Sequence, residues 1–207
     1  MLAISTATKK AYIALSVGEI KDFAEIEADC RQSENVLKEI DSMLEKNGLN
    51  FSEVGNIAVV IGPGSFTGIR IGVSLVKGLC AGDKNHLVTT ISTLDFMAKE
   101  NVKINKPNSA FVCVMNALSQ RFFVATYDKN GAKRSNEKMI TLEELLKIEK
   151  DKVFMKEEMG DLSNAITLSP QTLLNIALKQ EKAKKLESAS EIMPVYIRKS
   201  QAEENLH

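Results

Sequence analysis

One stretch, Gly62-Pro63-Gly64-Ser65-Phe66-Thr67-Gly68, constrains the fold of this chain more than any other. Before it runs Ile57-Ala58-Val59-Val60-Ile61, a continuous apolar segment of the kind that forms a strand buried on both faces. After it comes an apolar helical pattern, Thr67–Ala81. A buried strand, a glycine turn and a helix make half of an α/β crossover. The turn also occupies the position where backbone amides cradle phosphate in nucleotide-binding folds.

The loop does not fit the common phosphate or nucleophile motifs. A Walker loop needs a second glycine five residues after the first and then lysine, but five beyond Gly62 is Thr67 and five beyond Gly64 is Ile69. The dinucleotide fingerprint requires glycine at Thr67, and a nucleophile elbow at Ser65 requires it at Pro63. No motif offers a histidine as base for Ser65. The helix that follows is more informative. Gly68, Ile71, Gly72, Leu75 and Leu79 share one stripe, Ile69, Val73, Val76 and Cys80 widen it, and Arg70, Ser74, Lys77 and Ala81 form the narrow remainder. A helix covering one sheet needs about a third of its circumference apolar, and this one has roughly two thirds. Glycine inside a helix costs about 1 kcal/mol relative to alanine, so Gly68, Gly72 and Gly78 imply close backbone approach. The helix is expected to pack on two things, its own sheet and either further core or another subunit.

The rest of the chain reads as α/β in two related halves. Met1–Ile4, Ala11–Val17 and Ile20–Ala28 form an antiparallel meander, followed by an amphipathic helix over Ser33–Asn47 that Gly48 terminates. Leu87–Thr90 is a strand, and Ser92 with Asp95 caps a helix to Lys99. Asn101–Asn108 is the linker candidate. Beyond it the strands restart at Ala110–Met115, Arg121–Tyr127 and Ala132–Met139. Thr141 with Glu144 makes a capping box, and Ser169-Pro170 opens a helix over Gln171–Leu186. The expected domains are 1–100 and a shorter 101–207, with the C-terminal tail able to pack back on the first.

Charge narrows the function. Lys and Arg number 27, as do Asp and Glu, so the chain lacks the basic excess of a nucleic-acid binder. Cys30, Cys80 and Cys113 are far apart and only two histidines accompany them, which excludes a spaced zinc site and fits a reducing compartment. The opening residues carry no signal-peptide pattern and no segment spans a membrane, so a cytoplasmic location is expected.

The run Val60–Gly72, continuing to Lys77-Gly78-Leu79, closely resembles the signature of the TsaB (YeaZ) family. Leu2-Ala3-Ile4-Ser5-Thr6, Ser33-Glu34-Asn35-Val36-Leu37, Ile91-Ser92-Thr93-Leu94 and Pro194-Val195-Tyr196-Ile197-Arg198 resemble further family segments. The resemblance implies a two-lobed actin-like (ASKHA, ribonuclease H-like) fold, each lobe a mixed five-stranded sheet with helices. It implies a part in forming N6-threonylcarbamoyladenosine at position 37 of tRNAs reading ANN codons. In that system TsaB is a scaffold and activator of the metal-holding TsaD, an ATPase called TsaE joins them, and TsaB pairs with itself when alone. The contact uses the first two helices, here carrying Ser33, Leu37, Leu44, Gly68, Ile69, Gly72, Val73 and Val76. tRNA is met only through the complex.

ASKHA enzymes place an acid on the first phosphate loop of each lobe, where it orients a divalent cation or water. The matching positions here are Ser5 beside Thr6, and Asn116, with Leu118 where glycine usually stands. Gln32 replaces a histidine that often precedes the Ser-Glu pair. Neutral side chains at both loops imply no catalytic residue, no metal and no cofactor. The alternatives are an ATP-binding ASKHA enzyme, a glycoprotease-like hydrolase, or a free homodimeric interaction protein.

Overall fold

The first three strands form because alternating residues give each one a core face. β1 (Leu2–Ser5), β2 (Lys10–Val17) and β3 (Ile20–Glu27) pair antiparallel, with Leu2 opposite Leu15 and Ile13 opposite Ala24. The computed structural model describes residues 1–27, 32–82, 86–160 and 164–197. Ala28, Cys30 and Arg198 therefore lie outside the described residues.

α1 (Gln32–Lys46) carries the expected apolar stripe, with Val36, Ile40, Met43 and Leu44 buried. β4 (Ile57–Gly62) lies parallel to β1, and α2 (Phe66–Ala81) packs on both strands. β5 (Leu87–Ser92) runs parallel to β4. α3 (Thr93–Asn105) starts at the Ser92 cap, whose hydroxyl accepts from the Leu94 and Asp95 amides. It continues through much of the expected linker, because Glu100 and Asn101 are buried and Asn105 bonds back to Asn101.

β6 (Phe111–Asn116), β7 (Arg121–Tyr127) and β8 (Lys138–Thr141) form a second meander. The third strand is half the expected length because Ala132–Glu137 is a loop, folded around the Asp128 carboxylate, which accepts from Asn130, Ala132 and Arg134. Thr141 and Glu144 make the expected capping box for α4 (Leu142–Leu146). Sequence reading missed β9 (Asp151–Met155), α5 (Lys156–Met159) and β10 (Ala165–Ile166). α6 (Pro170–Lys182) starts at Ser169 as expected, and β11 (Glu187–Ser188) follows it.

The strand order is β11-β5-β4-β1-β2-β3 in one sheet and β10-β9-β6-β7-β8 in the other. Without β11, both sheets share one topology: two parallel pairings, then two antiparallel ones. The first sheet therefore has six strands where five were expected, the sixth being a two-residue edge from the C-terminal part of the chain. Contacts divide the chain into Met1–Phe96 with Leu168–Pro194, and Met97–Thr167 with the residues from Val195. In the first unit β1 is buried along its length, with α2 and α6 both packed on it. In the second, Val112, Val114, Val124, Ile140 and Leu145 form a core cluster.

The shared topology equates the end of β1 with the end of β6, so Ser5 and Asn116 hold corresponding positions. It likewise equates α2, which follows β4, with α5, which follows β9.

Candidate functional site

The two loop ends are the places to look for nucleotide chemistry, and in each the chain fills its own loop. Ser5 and Thr6 are wholly buried. The Thr6 hydroxyl donates to the Gly68 carbonyl at 2.6 Å, and the Ser65 amide donates to the Ala7 carbonyl at 2.8 Å. Ser65 also caps α2, its Oγ accepting from the Gly68 amide at 3.1 Å. The start of α2 thus sits directly on the first loop. The Ser5 hydroxyl has no hydrogen-bond partner among the described residues.

The glycines of α2 are required by this seat. A Cβ on Gly68 would stand 2.0 Å from the Thr6 carbonyl oxygen, and one on Gly72 would stand 2.5 Å from Thr6 Oγ1. A side chain at either position would push the helix off the loop. Close approach was expected from the sequence, and its inner partner is Thr6 of the same chain.

Asn116 is exposed, and its backbone amide donates to Glu158 Oε2 at 2.8 Å. The Ala117 amide donates to the Arg121 carbonyl and the Leu118 amide to Asn116 Oδ1. All three successive amides of the turn are engaged by the chain itself. Leu118 stands where a glycine was expected and adopts a glycine-like backbone, φ 65°. Glu158 comes from α5, the counterpart of α2. Sequence reading found no acid at this loop, because the charged segment Glu149–Lys152 hid β9 and with it the equivalence of α5 to α2. Among the described residues no group of three or more His, Cys, Asp or Glu side chains could hold a metal ion, and no helix is long and apolar enough to cross a membrane.

Of the expected interface residues, Ser33 and Leu37 are exposed. Leu44, Gly68, Ile69, Gly72, Val73 and Val76 are buried within the chain. The side of α2 facing away from them carries exposed Thr67, Arg70, Ser74 and Gly78, and half-buried Ile71, Leu75 and Leu79 lie along its border with the buried face. Arg70 lies over the exposed Phe66 ring, 3.8 Å from its centroid. Among the described residues no atom lies within 4 Å of a Cβ built on Gly78. α1 packs alongside α2 and adds Leu37, 40 % exposed.

A family model described as TsaD, tRNA N6-adenosine threonylcarbamoyltransferase, matches residues 27–204. The tRNA threonylcarbamoyladenosine biosynthesis protein TsaB of Haemophilus influenzae is 28% identical over 59% of this chain and 52% of its own length. The protein of the same description from Escherichia coli is 28% identical over 63% of this chain and 57% of its own. The matched part of the chain thus spans just over half the length of these curated relatives. A solved Pseudomonas aeruginosa structure described as similar to peptidase YeaZ superposes with TM-score 0.80 at 20% identity, covering 95% of this chain and 98% of that one. A second, YeaZ from the same organism, gives 0.77 at 21%, covering 94% and 98%. At that identity the likeness establishes the fold, which is the actin-like α/β class expected from the sequence.

Proposed function

We propose, from the premise that the chain belongs to the family described as TsaD, tRNA N6-adenosine threonylcarbamoyltransferase, and has TsaB and YeaZ proteins as relatives, that it is the non-catalytic subunit of a complex forming N6-threonylcarbamoyladenosine on tRNA. It acts by docking a TsaD homologue through α1 and α2. The observation that carries this reading is the closure of both loops. The Thr6 hydroxyl is committed to Gly68 and a Glu158 carboxylate oxygen to the Asn116 amide, so each of these groups serves the chain's own packing.

The outer face of α2 supports docking. A helix-interior glycine costs about 1 kcal/mol relative to alanine, and a Cβ on Gly78 would meet no atom within 4 Å among the described residues. A helix from another chain can approach closely there, between Ser74, Leu75 and the flanking Ile71. Leu37 on α1 extends the same apolar surface. The buried residues Leu44, Gly68, Ile69, Gly72, Val73 and Val76 hold this face from beneath. Balanced charge, 27 against 27, suits a subunit that meets tRNA only through its partners. Joining by a TsaE ATPase, self-association of the chain alone and a cytoplasmic site of action belong to the same proposal.

Titration calorimetry tests it in two arms. The TsaD homologue binds the wild-type chain, and Ser74→Arg, which places a long charged side chain on the outer face, abolishes binding without changing the fold. ATP with Mg²⁺ gives no binding heat with the chain alone. Micromolar nucleotide binding would favour the ATP-binding enzyme reading instead.

A further inference from the structure

We propose that Thr6, in the loop that follows β1, is the positioning residue that sets the docking face of α2. This rests on the reading that α2 docks a TsaD homologue.

Thr6 is wholly buried, so it cannot touch a partner itself. It meets the helix in three ways. Its hydroxyl hydrogen goes to the Gly68 carbonyl, its own carbonyl oxygen fills the space a Cβ would take at Gly68, and its Oγ1 fills the same space at Gly72. Ala7 adds a carbonyl that accepts from Ser65 at the helix entry. Gly68 and Gly72 are four residues apart and lie on one face, so Thr6 fixes both the height and the rotation of the first two turns. Ser74 stands on the far side of that same rod, and Ile71 and Leu75 lie along the flank between it and the seat. A helix is stiff and its surroundings are close-packed, so a change at the seat is carried to the outer face. Preorganisation of a docking surface is paid as affinity, since a face that must be ordered on binding loses that free energy.

The test compares Thr6→Val, which keeps the shape and removes the hydroxyl, with Thr6→Ser, which keeps the hydroxyl. Affinity for the TsaD homologue is measured at 10 °C, with circular dichroism confirming that each variant is folded. Thr6→Val weakens binding about tenfold, and Thr6→Ser stays within about twofold of wild type. Wild-type affinity in a folded Thr6→Val overturns the inference, as does equal loss in both variants. A wild-type chain that does not bind at all removes the docking reading itself, and this inference with it. If Thr6→Val does not fold, the pair Thr6→Ala/Gly72→Ala takes its place, because the alanine methyl at 72 occupies the space the hydroxyl vacates. That pair also binds about tenfold more weakly, and wild-type affinity from it overturns the inference.

Discussion

The hydroxyl of Thr6 and the carbonyl of Gly68 meet at 2.6 Å across 62 positions of sequence, and the Thr6 carbonyl lies where a Gly68 side chain would begin. Two adjacent glycine positions therefore respond differently to the same change. Gly68→Ala sets a methyl against backbone and costs about 3 kcal/mol or more of stability, and no substitution at position 6 relieves it. Gly72→Ala collides with a side-chain oxygen, costs less, and is largely rescued by Thr6→Ala. Denaturant midpoints of the single and double variants measure the cycle. Rescue of both glycine variants, or of neither, contradicts the described seat.

Ser5 tests the reading of the first loop as non-catalytic. Its hydroxyl is buried and makes no hydrogen bond among the described residues, so Ser5→Ala leaves stability within about 0.5 kcal/mol of wild type or raises it. Ser5→Asp puts an acid at the end of β1, but buries a carboxylate without a cation to balance it. It lowers stability by roughly 3–5 kcal/mol and gains no ATP binding. Thermal melts with and without ATP and Mg²⁺ read both effects.

At the second loop, Glu158→Ala frees one amide and leaves its neighbour engaged. Hydrogen exchange at Asn116 accelerates, while Ala117, which donates to the Arg121 carbonyl, keeps its protection. Unchanged exchange at Asn116 would show that Glu158 does not close the turn.

Asp22 of β3 ties the meander to the end of α1, bonding Asn47 at 2.9 Å, Lys46 at 3.1 Å and the Phe23 amide at 2.9 Å. Burial pushes its pKa up, but the Asn47 amide, the Lys46 ammonium and the Phe23 N–H together outweigh that and hold it below the ordinary aspartate value. A lowered folded-state pKa adds stability that is present above the unfolded value and is lost as pH falls through the folded one. Asp22→Asn therefore melts below wild type at pH 7, and the gap closes in acid. A gap that widens on acidification contradicts this sign.

The central loop announced itself in sequence because its glycines, its buried strand and its apolar helix all point to one crossover. The Ser92 cap, the Thr141 capping box and the Ser169-Pro170 start were legible for the same local reason. What sequence concealed is relational. The burial of Gly68 and Gly72 against Thr6 depends on a contact across most of the first unit, and the helical stripe alone admits a partner chain there equally well. Glu158 reaches Asn116 only because β9 precedes α5, and β9 is flanked by charges that mask its apolar Val153, Phe154 and Met155. α3 outran its expected end because buried Glu100 and Asn101 look like surface residues in a pattern.

The proposed function requires the outer face of α2 to dock a TsaD homologue. The most direct measurement is the native mass of an equimolar mixture of the two proteins, taken for the wild-type chain and for Ser74→Arg. Wild type is expected to form a stable hetero-complex, and Ser74→Arg to remain as separate components while still folded. A wild-type mixture that separates into its components, or a folded Ser74→Arg that assembles as wild type does, contradicts it.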